Sequence, residues 1–238
     1  MAGLIGRGGT ARVYQAGIDH PRIVALYDSG TDGDRPYLIM QLVDGENLAQ
    51  RLLAGPLPTA QVTELAHQLA EAPAHVHDRR IVHRDLKPAN VLLGAEGSLI
   101  SDFGIAHELD ATHVTGTGLV TGTAAYLAPE QVVDEHAGPA ADVYALGLIL
   151  VECLNGEREY PGTLAESAMA RLNQPARIPA GLPAPLARVL PRMTAREPGQ
   201  RPTAEEVLHL LRQPAETVPV RRRRTLVAAA ASLPPPPR

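Results

Sequence analysis

The chain has 238 residues, of which 45% are hydrophobic, so it can bury a sizeable core in one large domain or two small ones. Its 26 acidic and 22 basic residues give a net charge of −4, which does not favour nucleic acid as a partner. The single cysteine, Cys153, cannot form an intrachain disulfide, and no apolar run approaches the roughly 20 residues of a membrane span, so we expect a cytoplasmic protein with a buried thiol.

The first part of the chain predicts two β-hairpins. Residues 4–16, LIGRGGTARVYQA, carry apolar and β-branched residues on both sides of a glycine cluster, which predicts a hairpin with a flexible tip. Residues 24–43, VALYDSGTDGDRPYLIMQLV, predict two further strands around a polar DGD turn. The chain therefore begins with a small β-rich region.

A helical pattern follows from residue 59 to about residue 77. Apolar side chains recur there at the spacing of one helix face: Val62, Leu65, Ala66 and Leu69. Pro73 interrupts this pattern, and a proline inside a helix removes a backbone hydrogen bond at a cost of about 3 kcal/mol or more. We therefore expect a kink or an early end of the helix there.

The remaining elements are short strands followed by helices. The strands are predicted at 81–83, 90–93 and 98–101, and a polar loop rich in glycine and threonine follows from about 105 to 123. Helices are predicted at 143–154, 164–172, 185–193 and 203–211. This order predicts an α+β protein with a small β-rich lobe, residues 1–44, before a larger helical lobe, residues 45–213.

The last segment, residues 214–238, differs in composition from the rest. It contains the block Arg221–Arg224, a run of alanines and a proline-rich end, and it has too little apolar content to pack. Solvated disorder is the simplest interpretation. Alternatively, the arginine block could attract anionic lipid as part of a truncated segment next to a membrane.

Four motifs carry the chemistry, and the first is a glycine cluster. Residues 6–13, GRGGTARV, are close to the pattern G-x-G-x-x-G-x-V, with Ala11 in place of the third glycine. Glycines allow a turn to bring backbone N–H groups against phosphate oxygens. Alone this signal is weak, because any tight hairpin tip looks similar.

The second motif, HRDLKPAN at residues 83–90, contains the only lysine of the chain. Asp85 could accept the proton of an attacking hydroxyl, Lys87 could place a point charge beside a phosphoryl group, and Asn90 could hold a metal ion. The third motif, Asp102-Phe103-Gly104, begins seventeen residues after Asp85, and the fourth includes Ala-Pro-Glu at 128–130. Such a series does not arise by chance at a useful rate.

These motifs in this order resemble those of eukaryotic-like (Hanks-type) bacterial serine/threonine protein kinases, most of all the actinobacterial ones. The resemblance extends over about residues 4–211. It implies a two-lobed kinase fold and transfer of the γ-phosphate of ATP, with Mg²⁺, to serine or threonine hydroxyls of proteins. It leaves residues 1–213 as the kinase domain and residues 214–238 as a tail.

The resemblance also assigns roles to individual residues. Asp85 would be the catalytic base, Lys87 would contact the γ-phosphate, and Asn90 and Asp102 would bind Mg²⁺. The residues expected to contact ATP are Ile5, Gly6, Gly8, Val13 and Lys87. The residues expected to brace the large lobe are Glu130, which would pair with Arg201, and Asp142, which would support the catalytic loop.

The resemblance further suggests regulation by phosphorylation. Thr115 and Thr117 resemble the paired threonines that such bacterial kinases phosphorylate on themselves, which a homodimer would permit. Arg84 would be one partner for the added charge. The alternative is that threonines are simply common in polar loops.

One part of the family pattern is missing. Active kinases carry a lysine on the third strand, paired with a glutamate on the next helix, yet only Gly17, Ile18 and Asp19 separate Ala16 from His20. Three residues span about 10 Å, which is too short for a strand and a helix. Arg12 of the glycine-rich hairpin is not expected to substitute for the lysine, because its side chain should point to the opposite face of the strand. We therefore expect weak or no phosphoryl transfer and an unstable small lobe. The alternatives are a pseudokinase that acts as a binding scaffold, and a deleted or misread gene product.

Overall fold

The computed structural model describes residues 3–8, 11–15, 18–33, 35–103, 125–133 and 137–213. The described strands form three antiparallel hairpins. Their strands are β1 Gly3–Gly8 with β2 Ala11–Gln15, β3 Leu26–Asp32 with β4 Arg35–Met40, and β5 Val91–Gly94 with β6 Gly97–Ile100. The two hairpins expected at the start of the chain are confirmed.

The described helices make up most of the larger lobe, and together with the hairpins they give the expected α+β fold. They are α1 Leu48–Leu52, α2 Thr59–His77, α3 Pro129–Val132, α4 Pro139–Asn155, α5 Leu164–Asn173, α6 Ala184–Met193 and α7 Ala204–Arg212. The sequence pattern had indicated five of these, but not the short helices α1 and α3. None of the described helices has the length and apolarity needed to cross a membrane.

Helix α4 forms the centre of the core. Every residue from Ala141 to Val151 is buried, and α4 packs against both α2 and α6. The apolar stretch had indicated a buried helix, and its first turn also carries one buried carboxylate, Asp142. Burial raises the pKa of the Cys153 thiol to about 12, so this thiol stays protonated and serves packing, as expected.

Two expectations about the middle of the chain were wrong. The sequence predicted a kink or an early end at Pro73; the early end is wrong, because helix α2 continues to His77, and the kink stays a prediction. Pro73 and its neighbours Ala72 and Val76 are buried against the core, and this packing offsets the hydrogen bond that the proline cannot make. Residues 81–83 do not form a strand, because the backbone of His83 is bound by the Asp142 carboxylate rather than by another strand.

The described part of the small lobe after the β1–β2 hairpin has little core of its own. Described residues 18–25, which connect the β1–β2 hairpin to β3, contain no helix, and Ile23 forms a parallel bridge with Ile100. The Val24 N–H donates to the Ile100 carbonyl at 3.0 Å, and the Ile100 N–H donates to the Arg22 carbonyl at 2.9 Å. Among the described residues, none between Ile23 and Leu48 is fully buried. The small lobe is therefore held to the large lobe by this segment and by the chain after β4, where the Leu93 N–H donates to the Glu46 carbonyl at 2.9 Å.

Candidate active site

The HRDLKPAN segment crosses the molecule between α2 and β5, and its acidic and basic side chains face each other. Lys87 Nζ donates to Asp85 Oδ2 at 2.8 Å. Both side chains are about one-fifth exposed, so this ion pair is only partly open to solvent. The pair brings together a proton acceptor and a point charge, the two groups that the sequence had indicated.

The second carboxylate oxygen of Asp85 is in a different situation. Oδ1 is buried and has no hydrogen-bond partner among the described residues. The carbonyl oxygen of Asp85 accepts from Asn90 Nδ2 at 2.9 Å, which holds the loop closed. A buried acceptor without a partner is costly, and a hydroxyl donor entering the site would remove that cost.

The ring of His83 holds the loop from behind. It is buried, its Nε2 lies 2.9 Å from the Ser101 carbonyl oxygen, and its Nδ1 accepts from the Asp85 N–H at 3.3 Å. Since Nδ1 is an acceptor, we assign the ring proton to Nε2. The ring also packs against Phe103, with centroids 4.6 Å apart. His83 thus joins the second motif to the third.

Asp142 anchors the loop to the core from the first turn of α4. Its Oδ2 accepts from the His83 N–H and its Oδ1 from the Arg84 N–H, each at 2.8 Å. A third contact comes from His77 Nε2, 2.9 Å from Oδ2. These bonds hold Arg84 at φ 67°, a conformation that non-glycine residues rarely adopt.

Ser101 contacts both residues that are expected to bind a metal ion, Asn90 and Asp102. The Ser101 N–H donates to the Asn90 carbonyl at 2.9 Å, and its hydroxyl lies 3.3 Å from Asp102 Oδ2. Because Asn90 Nδ2 is bound to Asp85, the ligand-type atom left on Asn90 is its amide oxygen. Asp102 is exposed and has φ 60°. A carboxylate and an amide oxygen suit Mg²⁺, which prefers oxygen ligands.

Glu130 and Arg201 form a buried bidentate ion pair. Arg201 Nη1 and Nη2 donate to the two Glu130 oxygens at 2.7 and 2.8 Å, and the two side chains are 0% and 4% exposed. The guanidinium also donates to three backbone carbonyls and lies over the ring of Tyr144. This pair connects α3 to the segment before α7, where the sequence had predicted a brace.

The glycine-rich hairpin is described at the backbone level. Gly6 lies opposite Val13 and Gly8 opposite Ala11, and the register shifts between Leu4 and Gly6, at Ile5. Other sequence predictions fall outside the described residues: the hairpin tip at 9–10, Gly104, Thr115, Thr117 and the tail from 214.

Two contributors to the site were missed at the level of sequence. His77 was not among the predicted site residues, yet it contacts Asp142. Ser101, which bridges Asn90 and Asp102, had been seen only as the end of a strand. Its position directly before Asp102 was the one available signal.

Comparison with known proteins identifies the family. The protein kinase domain model matches residues 11–211. Serine/threonine-protein kinase PknL of Mycobacterium tuberculosis is 39% identical over 154 residues, which are 64% of this chain and 39% of PknL. PrkC of Bacillus subtilis is 41% identical over 152 residues, which are 63% of this chain and 24% of PrkC.

PknA of Mycobacterium tuberculosis is similar at the same level, with 40% identity over 166 residues, covering 66% of this chain and 38% of PknA. The matches thus span between about a quarter and two-fifths of the length of these relatives. The motifs, the α+β fold and the family match agree, and the chain belongs to the protein kinase domain family, among relatives that are bacterial serine/threonine kinases of the Hanks type.

Proposed function

We propose that the chain is an ATP- and Mg²⁺-dependent protein serine/threonine kinase whose rate is limited by its incomplete small lobe. The observation that carries this proposal is the arrangement of Asp85. One of its oxygens is fixed by Lys87 at 2.8 Å, and the other is buried without a hydrogen-bond partner among the described residues. Such a carboxylate can accept a hydrogen bond from the hydroxyl group of a substrate.

In the proposed reaction, the serine or threonine hydroxyl of a protein substrate donates its proton to Asp85. The hydroxyl oxygen forms a bond to the γ-phosphorus as the bond to the ADP oxygen breaks, and ADP leaves. Lys87 places its charge beside the transferring group. Bound Mg²⁺, held by Asn90 and Asp102, would neutralise charge on the phosphates.

The expected rate follows from what the small lobe lacks. Losing one preorganised charge donor commonly lowers a rate by about 10²–10³. The sequence offers no second lysine, and the glycine-rich backbone of Gly6 and Gly8 with Ile5 and Val13 would have to hold ATP without it. We therefore expect slow phosphoryl transfer rather than the activity of a complete kinase.

A radiolabelled ATP assay tests the proposal. Purified chain is compared with Asp85→Asn, which keeps the shape of the side chain but removes the proton acceptor. We expect incorporation of label by the unchanged chain and loss of most of it in the variant. Equal signals at background level would exclude kinase activity for this chain, provided both proteins give the same denaturation curve.

The second candidate is a pseudokinase that binds partners without catalysis. It is favoured by one observation, the three-residue connection Gly17–Asp19 where a lysine strand and a helix would stand. Reading the coding DNA around codons 16–20 in all frames tests whether that segment was lost by misreading. If the connection is genuine and the assay is negative, the scaffold proposal replaces the kinase proposal.

Regulation is part of the kinase proposal. Thr115 and Thr117 are proposed as sites that one copy phosphorylates on another, with Arg84 as a partner of the added phosphate. A phosphopeptide map of active protein should show one or both of them modified. A map in which neither carries phosphate would remove this part of the proposal and leave the catalytic part unchanged.

A further inference from the structure

A cavity of about 330 Å³ lies in the large lobe, between α4, the C-terminal half of α5 and the end of α6. It is separate from the Asp85 site, and none of its lining residues belongs to the four motifs. Its size falls at the lower end of the range of small-molecule sites, which is about 300–1,000 Å³. The cavity can therefore hold a small ligand.

Among the residues that the structure describes, the charged side chains that line the cavity are both arginines, and none of the lining residues is acidic. Arg171 is buried and its Nη2 donates to the Ala125 carbonyl at 2.8 Å, which fixes the guanidinium in the wall. Arg196 is exposed at the mouth. The two cations, one fixed inside and one at the entrance, favour an anionic ligand.

The phenols of Tyr144 and Tyr160 also line the cavity. Burial is the main cause that raises the pKa of both Tyr144 and Tyr160, so neither competes as an anion for the arginines at neutral pH. The Tyr160 hydroxyl donates to the Gln174 carbonyl at 3.0 Å, and the Arg171 guanidinium lies over the Tyr160 ring. The same burial lowers the pKa of Arg171, a penalty on its charge that a bound anion would offset.

The remaining lining residues are the polar Asn173, Gln174 and Thr194 together with a set of apolar ones. Leu172, Ala176 and Ile178 contribute half-buried aliphatic surface to the lining. We propose that this cavity is a binding site for a monocarboxylate with a short aliphatic chain, its carboxylate near Arg171 and Arg196 and its chain against Ala176 and Ile178. The site combines a few convergent polar groups with apolar walls, as small-molecule sites do.

The test uses octanoate as the probe and octylamine as its cationic counterpart, titrated calorimetrically into the full chain. A ligand of this size is expected to bind with a Kd on the order of 0.1 mM. Octylamine should not bind. Absence of heat at about 5 mM octanoate, or equal binding of octylamine, would overturn the proposal.

Two variants locate the site. Ala176→Phe fills the cavity, and Arg196→Gln removes the exposed cation at its mouth. We expect the first to weaken octanoate binding about tenfold or more, and the second about threefold or more. The matched controls are Ala180→Phe and Arg192→Gln, which make the same changes at exposed positions outside the lining.

The Kd values of the variants and controls decide whether octanoate binds in this cavity. Unchanged Kd values in the controls, with weaker binding in both lining variants, support the site. If Arg196→Gln binds as tightly as the unchanged chain, or if a control weakens binding as much as its partner, the ligand sits elsewhere and the proposal is wrong. Arg196 is exposed, so its variant remains informative even if Ala176→Phe fails to fold. None of these measurements depends on phosphoryl transfer, and a failure here leaves the proposed kinase function untouched.

Discussion

At the scale of single residues, the backbone conformation of Arg80 carries a cost. Arg80 adopts φ 60° just after α2. The Arg80 N–H donates to the His77 carbonyl at 2.9 Å, and the Ile81 N–H donates to the Val76 carbonyl at 3.0 Å. This is the Schellman arrangement, whose left-handed residue is usually glycine because a side chain there costs about 1–2 kcal/mol.

We therefore predict that Arg80→Gly raises the free energy of unfolding by roughly 0.5–1 kcal/mol, the relief of strain less the extra freedom of glycine in the unfolded chain. The matched control is Asp78→Gly two residues earlier, where φ is −59° and glycine brings no relief. It should lower the free energy of unfolding by a similar amount. Urea denaturation measures both, and changes of the same sign would contradict the explanation.

The buried pair of Glu130 and Arg201 gives a second prediction at this scale. Glu130→Gln leaves the Arg201 charge buried without its counter-ion, so we expect a loss of about 3–5 kcal/mol in the free energy of unfolding. The control is Glu157→Gln, which makes the same chemical change in an ion pair with Arg177 whose side chains are 69% and 61% exposed. That loss should stay below about 1 kcal/mol. Similar losses in guanidinium denaturation would show that burial does not decide the value of the pair.

At the scale of elements, the sequence predicted the structures that depend on residues close together in the chain. It missed the features that depend on contacts between distant residues. Five of the described helices and two hairpins followed from local periodicity and turn residues. The continuation of α2 through Pro73 did not, because it rests on packing against elements far away in the chain. The HRDLKPAN motif could be recognised because its eight residues are consecutive. The contact of His77 with Asp142, by contrast, joins residues 65 positions apart. No spacing rule identifies such a partner.

Helix α7 tests a local signal that the sequence does carry. Thr203 is its N-cap: the Thr203 hydroxyl accepts from the Glu206 N–H at 3.1 Å, and Glu206 Oε2 accepts from the Thr203 N–H at 2.8 Å. Thr203→Ala should lower the free energy of unfolding by about 1 kcal/mol, because it removes one half of this capping box. Thr203→Asn keeps an acceptor and should leave stability within about 0.5 kcal/mol. In urea denaturation, an Asn variant as unstable as the Ala variant would argue against capping.

At the scale of the whole molecule, the two lobes are unequally built. The large lobe is organised around the buried helix α4, whereas the β3–β4 hairpin exposes large apolar side chains on strands that contain no fully buried described residue. These side chains are Tyr27 at 64% exposure, Tyr37 at 44%, Ile39 at 46% and Met40 at 42%. In a complete kinase the missing strand and helix would add apolar surface to this lobe. Backbone bridges on either side of the hairpin, Ile23 with Ile100 and Asn47 with Leu92, connect it to the large lobe.

Because so little surface is buried there, the small lobe should open without the large lobe unfolding. We predict that backbone amides of β3 and β4 exchange with solvent through openings at least about 2 kcal/mol less costly than those that expose α4. Native-state hydrogen exchange, followed by mass spectrometry of peptides at increasing urea, measures both regions in the same sample, so α4 serves as the internal control. Equal protection of the hairpin and α4 would mean that the lobes unfold together. Unequal protection would explain slow phosphoryl transfer at a well-formed Asp85 site, since the lobe that must hold ATP would be open for part of the time.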